Sequence, residues 1–88
     1  MNEKELEKVL KAIANKRRVL ILKYLKHVGV ATVGDVAKAI KLSFKATSKH
    51  LIILLNADIL EKEQAGLTMY YSLVKRNHPI VVKLLTII

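Results

Sequence analysis

Apolar residues recur at helical spacing through most of the first 56 positions of this 88-residue chain. The first stripe follows Asn2, which has Glu5 three residues later as in a capping box, and it predicts a helix. Asn15 is suited to cap a second helix over residues 16–26, with Gly29 as its stop signal. Because this second segment is apolar nearly all round, we expect it to lie at the centre of the fold.

Two short helices joined by a tight turn follow in the pattern. Thr32, with Asp35 three residues later, predicts the start of a third helix. Residues 41–43 predict a turn, with Ser43 as the N-cap of a fourth helix that ends near Asn56. Two short helices with such a turn are the outline of a helix-turn-helix.

The pattern becomes strand-like after the fourth helix. Residues 59–64 and 67–73, separated by Ala65-Gly66, predict a hairpin because the second run favours strands and glycine marks a turn. Asn77-His78-Pro79 signals a last helix, and residues 80–88 are almost wholly apolar. The fold class is therefore mainly α with a small β-hairpin. A chain of 88 residues is expected to form a single domain.

The fourth helix divides into two sides on a helical wheel. The side expected to pack inward has Thr47, His50, Leu51 and Leu54, and the other side has Lys45, Ser48, Lys49, Ile52 and Asn56. The second set offers hydrogen-bond donors near the helix N-terminus, the end that enters a major groove in helix-turn-helix proteins. The alternative is that it is only the solvated face of an amphipathic helix.

The charge of the chain favours DNA binding over a merely solvated face for the fourth helix. The formal net charge is +9, which favours nucleic acid, an acidic membrane surface or an acidic protein as partner. Residues 19–56 hold six lysines against Asp35 alone, so the excess is centred on the predicted helix-turn-helix. Arg17 and Arg18 either contact phosphates or solvate the start of the second helix.

The chain lacks the residues or the residue spacing needed for disulfides, metal binding and nucleophilic catalysis. The chain has no cysteine, which excludes disulfides, thiolate metal sites and cysteine nucleophiles. His27, His50 and His78 lack the spacing of metal ligands, and no serine has a base and a third group in a known motif. We therefore expect no enzyme activity, no cofactor and no bound metal. The start of the chain is unlike a signal peptide, so we expect a cytoplasmic protein without membrane attachment.

Four segments resemble the ArsR/SmtB family of winged-helix repressors. They are Asn15-Lys-Arg-Arg-Val-Leu-Ile-Leu-Lys-Tyr-Leu25, Val36-Ala-Lys-Ala-Ile-Lys-Leu-Ser43, Ser48-Lys-His-Leu51 and Tyr70-Tyr-Ser-Leu73. Their order and spacing are more specific than any one fragment. The resemblance implies a winged helix-turn-helix that binds double-stranded DNA through the fourth helix, with the hairpin as the wing. It also implies a homodimer formed by the first and last helices.

The apolar stripes of the terminal helices agree with that dimer. On a monomer they would leave a large exposed patch, whereas a two-fold axis would bury both. The alternative is that the last helix closes over the core of its own monomer. The predicted interface residues are Leu6, Val9, Leu10, Ile13, Ile80, Val81, Leu84, Leu85 and Ile88. The predicted DNA-contacting residues are Ser43, Phe44, Lys45, Thr47, Ser48, Lys49, Arg17, Arg18 and Lys62.

The chain departs from the family pattern in ways that bear on function. Metal-sensing members carry Cys-x-Cys where this chain has Thr32 and Gly34, and His78 lacks the acidic partner of a second family site. Metal sensing is therefore not expected. Family wings often place a basic residue beside the glycine, where this chain has Leu67, so DNA contact by the wing is in question.

The apolar residues Phe44, Ile52 and Leu55 on or near the DNA-facing side leave three interpretations open. They indicate contacts with thymine methyl groups, a second protein partner, or a different tilt of the helix. Together with the poor wing, they also support a rival function as a protein-interaction module in a transcription complex. A basic amphipathic protein on acidic membranes is a further rival, but the capped, folded pattern argues against it.

Overall fold

The computed structural model describes residues 1–88 and contains five helices and three strands. The elements are α1 (Glu3–Ile13), α2 (Lys16–Val28), β1 (Val30–Ala31), α3 (Val33–Ile40), α4 (Phe44–Asn56), β2 (Leu60–Ala65), β3 (Thr68–Leu73) and α5 (Pro79–Ile87). This confirms the predicted fold class and the order of four helices, a hairpin and a final helix. None of the five helices has the length and apolar composition needed to cross a membrane.

The first four helices begin where a side chain accepts from free backbone N–H groups, whereas α5 begins with Pro79 and has no side-chain cap. The Asn15 carboxamide oxygen accepts from the N–H groups of Arg17 and Arg18 at 2.9 and 3.1 Å. At α3, Thr32 and Asp35 form a reciprocal capping box. Each such cap is worth about 1 kcal/mol of helix stability. All of these starts were predicted, because a cap depends only on residues within one turn.

The second helix continues two residues beyond the predicted end. It stops at Gly29, whose φ of 83° lies in the region that side chains disfavour and whose N–H donates to the Leu25 carbonyl at 2.9 Å. The stop residue was predicted, whereas the exact last turn was not.

The sheet has one strand that the pattern did not predict. β1 pairs antiparallel with β3, so the strand order is β1-β3-β2. The hairpin turn also lies one residue later than expected, because Ala65 pairs with Thr68 and leaves Gly66 and Leu67 as the loop. Gly66 has φ 64° and Leu67 does not have a positive φ, which is the pattern of a type II′ turn with glycine first.

The core forms around α2, as its composition predicted. Ile21, Leu22 and Leu25 are buried there and belong to one apolar cluster with side chains from every other helix and from the start of β2. The other large buried side chains are Val9, Val36, Ile40, Leu51, Leu54, Ile59, Leu60 and Val81. The wing extends from this core, since most of β2 is exposed.

The terminal helices pack on their own protomer more than was expected. Val9 and Val81 are buried in the protomer core, so their assignment to a dimer interface was wrong. Ile13, Leu84, Leu85 and Ile88 are only half-buried and pack against the same core. The Lys26 ammonium also donates to the Leu85 carbonyl at 2.6 Å, which joins the end of α5 to α2. The apolar side chains that stay exposed are Leu6, Leu10, Ile80, Val82 and Ile87.

Thr47 lies on the buried side of α4, and its prediction as a DNA contact was wrong. Its side chain has 0% exposure, and its hydroxyl oxygen has no hydrogen-bond partner. A buried hydroxyl without a partner loses its hydration and regains nothing, which costs about 1–3 kcal/mol. Thr47 is therefore a packing residue whose unpaired hydroxyl destabilises the fold.

Arg18 joins three elements at one point beside α4. Its Nε donates to the Ala12 carbonyl at 2.5 Å and its Nη2 to the Lys11 carbonyl at 3.2 Å, both at the end of α1. Its Nη1 lies 3.1 Å from His50 Nδ1 on α4. Because a guanidinium can only donate, Nδ1 accepts and the imidazole proton is on Nε2. His50 therefore lies half-buried on the inner side of α4, as its position on the helical wheel predicted, and accepts a hydrogen bond there.

Replacing Thr47 with valine should stabilise the protein by about 1 kcal/mol, because it removes the unpaired hydroxyl and keeps a branched side chain. Urea unfolding would measure the change. Thr47→Ser is the matched control, since it keeps the hydroxyl and loses a methyl group; it should destabilise by about 1 kcal/mol. Equal losses in both variants would contradict the burial of an unsatisfied hydroxyl.

Stability should fall as the pH drops below about 6.5. Burial, and then the positive charges of Arg18 and Arg17, lower the pKa of His50 from its ordinary value of 6.5. The unfolded chain therefore binds a proton at this residue before the folded chain does, so the contribution is present above pH 6.5 and is lost below it. Urea unfolding at pH 7.5 and 5.5 would measure this loss. His50→Gln should reduce it, whereas His27→Gln, at an exposed position, should not. The same loss in the parent and in His50→Gln would refute this assignment.

Candidate nucleic-acid interface

The turn between α3 and α4 is fixed by its own backbone. Lys41 adopts a left-handed conformation with φ 56°, and the Leu42 N–H donates to the Ala37 carbonyl at 3.0 Å. The Ser43 hydroxyl then accepts from the Ala46 N–H at 3.1 Å and caps α4. These contacts make the helix-turn-helix a defined unit, with the first turn of α4 at the surface.

The two sides of α4 have the character that its sequence predicted. Leu51 and Leu54 are buried on the inner side together with Thr47. The outer side has Lys45 and Lys49, both exposed, with Ser48 half-buried between them along the chain. This side combines ammonium groups with a hydroxyl, the donors that bind phosphates and base edges in DNA.

The lysines of this surface are not neutralised by the protein. The one salt bridge in the structure joins Lys11 to Glu7 on α1, at 3.9 Å. Asp35 is the single acidic residue between positions 19 and 56, and its carboxylate accepts from the Thr32 N–H at 3.2 Å. Lys45 and Lys49 are therefore free to pair with an external anion.

The two arginines at the start of α2 have different surroundings. Arg17 is exposed and forms no side-chain hydrogen bond or salt bridge in the structure. Arg18 is half-buried, and three of its N–H groups are already used by α1 and His50. Arg17 remains a candidate for a phosphate contact, whereas Arg18 positions α4 against α1.

The wing presents mixed charge and an apolar tip. Lys62 is exposed on β2 between Glu61 and Glu63, so the strand as a whole is not basic. Leu67 stands at the turn with 102% exposure, and the Gln64 carboxamide braces that turn by donating to the Gly66 carbonyl at 3.1 Å. A shallow hollow separates the tip from the start of α4 and is lined by Val33, Phe44 and Met69 among others. Phe44 and Ile52 add exposed apolar surface to α4 itself.

No group of three or more His, Asp or Glu side chains is placed to hold a metal ion. His78 Nε2 lies 2.9 Å from the Ala57 carbonyl, to which it donates, so that nitrogen is used within the protein. Thr32 and Asp35, at the start of α3, are used by the capping box. The polar groups in these regions serve the fold.

Comparison with known proteins places the chain in a family. Residues 15–62 match the sequence model of the family described as bacterial regulatory protein, arsR family. The transcriptional repressor SdpR of Bacillus subtilis is 40% identical over 65 residues, which cover 74% of this chain and 71% of SdpR.

Solved structures agree in fold over nearly the whole chain. NolR from Sinorhizobium fredii superposes with a TM-score of 0.82 at 31% identity, covering 96% of this chain and 80% of NolR. The homodimeric winged helix-turn-helix DNA-binding domain Mb0332 of Mycobacterium bovis gives a TM-score of 0.81 at 27% identity, covering 96% of this chain and 74% of that domain. The chain belongs to the ArsR family of bacterial regulatory proteins, and it is a DNA-binding transcriptional regulator with a winged helix-turn-helix rather than an enzyme.

Proposed function

We propose that residues 1–88 form one winged-helix domain that acts as a homodimeric repressor on an inverted repeat in double-stranded DNA. The observation that carries this proposal is the outer side of α4, where Lys45 and Lys49 are exposed and unpaired. Duplex DNA is a dense polyanion, and each phosphate that a lysine neutralises releases counterions. The name of SdpR, a transcriptional repressor, supports repression over activation.

The first turns of α4 make the closest contacts in this proposal. Ser43 and the free N–H groups beside it face a phosphate, while Lys45, Ser48 and Lys49 reach base edges or phosphates in the major groove. Arg17 adds a phosphate contact from α2. Lys62 contributes less, because the two glutamates beside it repel the DNA backbone.

A homodimer is supported by the apolar side chains that α1 and α5 leave exposed. Leu6 and Leu10 face outward on α1, and Ile80, Val82 and Ile87 do so on α5. A second copy related by a two-fold axis covers both sets. It also presents two α4 helices to successive major grooves, which is how helix-turn-helix dimers read inverted repeats. The Mycobacterium bovis domain of similar fold is named as homodimeric.

We further propose that release from DNA does not depend on a metal at either family site. Thr32 and Gly34 stand in place of the cysteine pair, and neither supplies a thiolate ligand. Helix α5 has no acidic residue to pair with His78, whose Nε2 donates to the Ala57 carbonyl.

A duplex from the region upstream of the gene should bind tightly and should outcompete a scrambled duplex, as measured by fluorescence anisotropy at about physiological salt. Lys49→Ala should weaken binding roughly tenfold, because it removes a charge-assisted contact from each half-site. The slope of log affinity against log salt should fall by about 2, since a dimer carries two copies.

Lys23→Ala is the matched control, because Lys23 is an exposed lysine on α2 outside the helix-turn-helix. It should leave both the affinity and the salt slope close to those of the parent. Equal binding to both duplexes would overturn sequence-specific regulation. No binding to either would favour the protein-interaction alternative.

Leu10→Asp should convert the dimer to a monomer and weaken operator binding by about a hundredfold or more, because the second half-site contact becomes intermolecular. Light scattering after size exclusion would give the mass, and anisotropy would give the affinity. We prefer this position to Leu84, where a charge would disturb the protomer core. Leu67→Asp, the same change at the exposed wing tip, should remain dimeric. A Leu10→Asp monomer that bound operator as tightly as the parent would refute the dimer.

A further inference from the structure

Two large apolar side chains stand exposed on the DNA-facing part of α4. Phe44 is 63% exposed and Ile52 is 53% exposed. Neither belongs to the core or to the half-buried apolar side chains that pack against it, in contrast to Leu55 on the same helix. Their exposure therefore needs an explanation other than the packing of the protomer.

These two residues share one row of the helix surface. Phe44, Ser48 and Ile52 are spaced at four-residue intervals, which places them on neighbouring turns of one face. The row spans about 12 Å at 1.5 Å per residue, the length of three to four stacked base pairs. Its order is apolar, hydroxyl, apolar.

A second row of different chemistry runs beside the first. Lys45 directly follows Phe44 in the sequence and Lys49 directly follows Ser48. Both lysines are exposed. A surface that fits both rows must carry dense negative charge and isolated apolar groups about three to four base pairs apart. A purely apolar protein surface would leave the two ammonium groups desolvated and unpaired.

The major groove of duplex DNA has this combination at A·T pairs. The C5 methyl of thymine is an apolar group on the floor of that groove, and phosphates line its edges. We propose that Phe44 and Ile52 contact thymine methyl groups, so that the operator carries thymines at the positions that this row faces. This proposal rests on the DNA-binding function proposed above and adds the base type that α4 selects.

The test replaces thymine by deoxyuridine, which keeps the base pair and the O4 acceptor and removes only the methyl group. A duplex would first be enriched from a random-sequence pool by the parent protein, then synthesised with thymine or uracil in the half-sites. The parent should bind the uracil duplex about fourfold more weakly for each methyl group that it contacts. In the Phe44→Ala, Ile52→Ala double variant the two duplexes should bind with nearly equal affinity.

Leu67→Ala is the matched control, because Leu67 is an exposed apolar residue on the wing rather than on α4. It should keep the parent's ratio of thymine to uracil affinity. Both changes in the double variant are at exposed positions, and a thermal melt would verify that it folds.

The outcomes separate this inference from the proposed function. If the enriched thymine duplex outcompetes a scrambled one but the uracil duplex binds equally well, the methyl contacts are refuted and the regulator remains. An enriched sequence without thymine in its half-sites, or a double variant with the parent's ratio, refutes them as well. If enrichment yields no preferred sequence, the proposed function fails together with this inference.

Discussion

The burial of one side of α4 against α2 and α3 is the constraint on which the rest of the structure depends. Leu51 and Leu54 contribute large buried side chains to the core, each worth about 1.5–3 kcal/mol relative to exposure. A rotation of α4 that exposed them would cost most of the stability of so small a protein. Because that rotation is forbidden, the outward direction of every other side chain on α4 is set, including Lys45 and Lys49.

Arg18 extends this constraint to α1. Its guanidinium accounts for two carbonyl groups at the end of α1 that the helix cannot satisfy itself, and it reaches His50 on α4 with a third N–H. The same helix α1 presents Leu6 and Leu10 to solvent. Arg18 therefore connects the helix that carries these exposed leucines to the helix that we propose contacts DNA.

The features that were predicted from the sequence depend on residues close together in the chain, whereas most of those that were missed depend on distant contacts. The starts of α2, α3 and α4 were predicted because Asn15, Thr32 and Ser43 act on N–H groups within one turn. β1 was missed because its two residues are strands only through pairing with β3, some forty positions later. Val81 was assigned to an interface because a helix that is apolar nearly all round gives little indication of which side is buried. The helical wheel placed Thr47 on the inner side of α4. It was nevertheless predicted to contact DNA because its hydroxyl can form hydrogen bonds, and that prediction was wrong.

In the proposed complex with DNA, affinity and selectivity have separate origins. Contacts of the α4 lysines, and of Arg17 on α2, with phosphates would attract every duplex equally, and salt would weaken this attraction for all sequences alike. Contacts of α4 with base edges and thymine methyl groups would then supply the discrimination between sequences, because the wing has few basic residues and its tip is a leucine. Apolar contacts do not release counterions, so they are little affected by salt. As the salt concentration rises, total affinity should fall while the ratio between a correct and an incorrect sequence is preserved, because the phosphate contacts release counterions and the proposed apolar contacts do not.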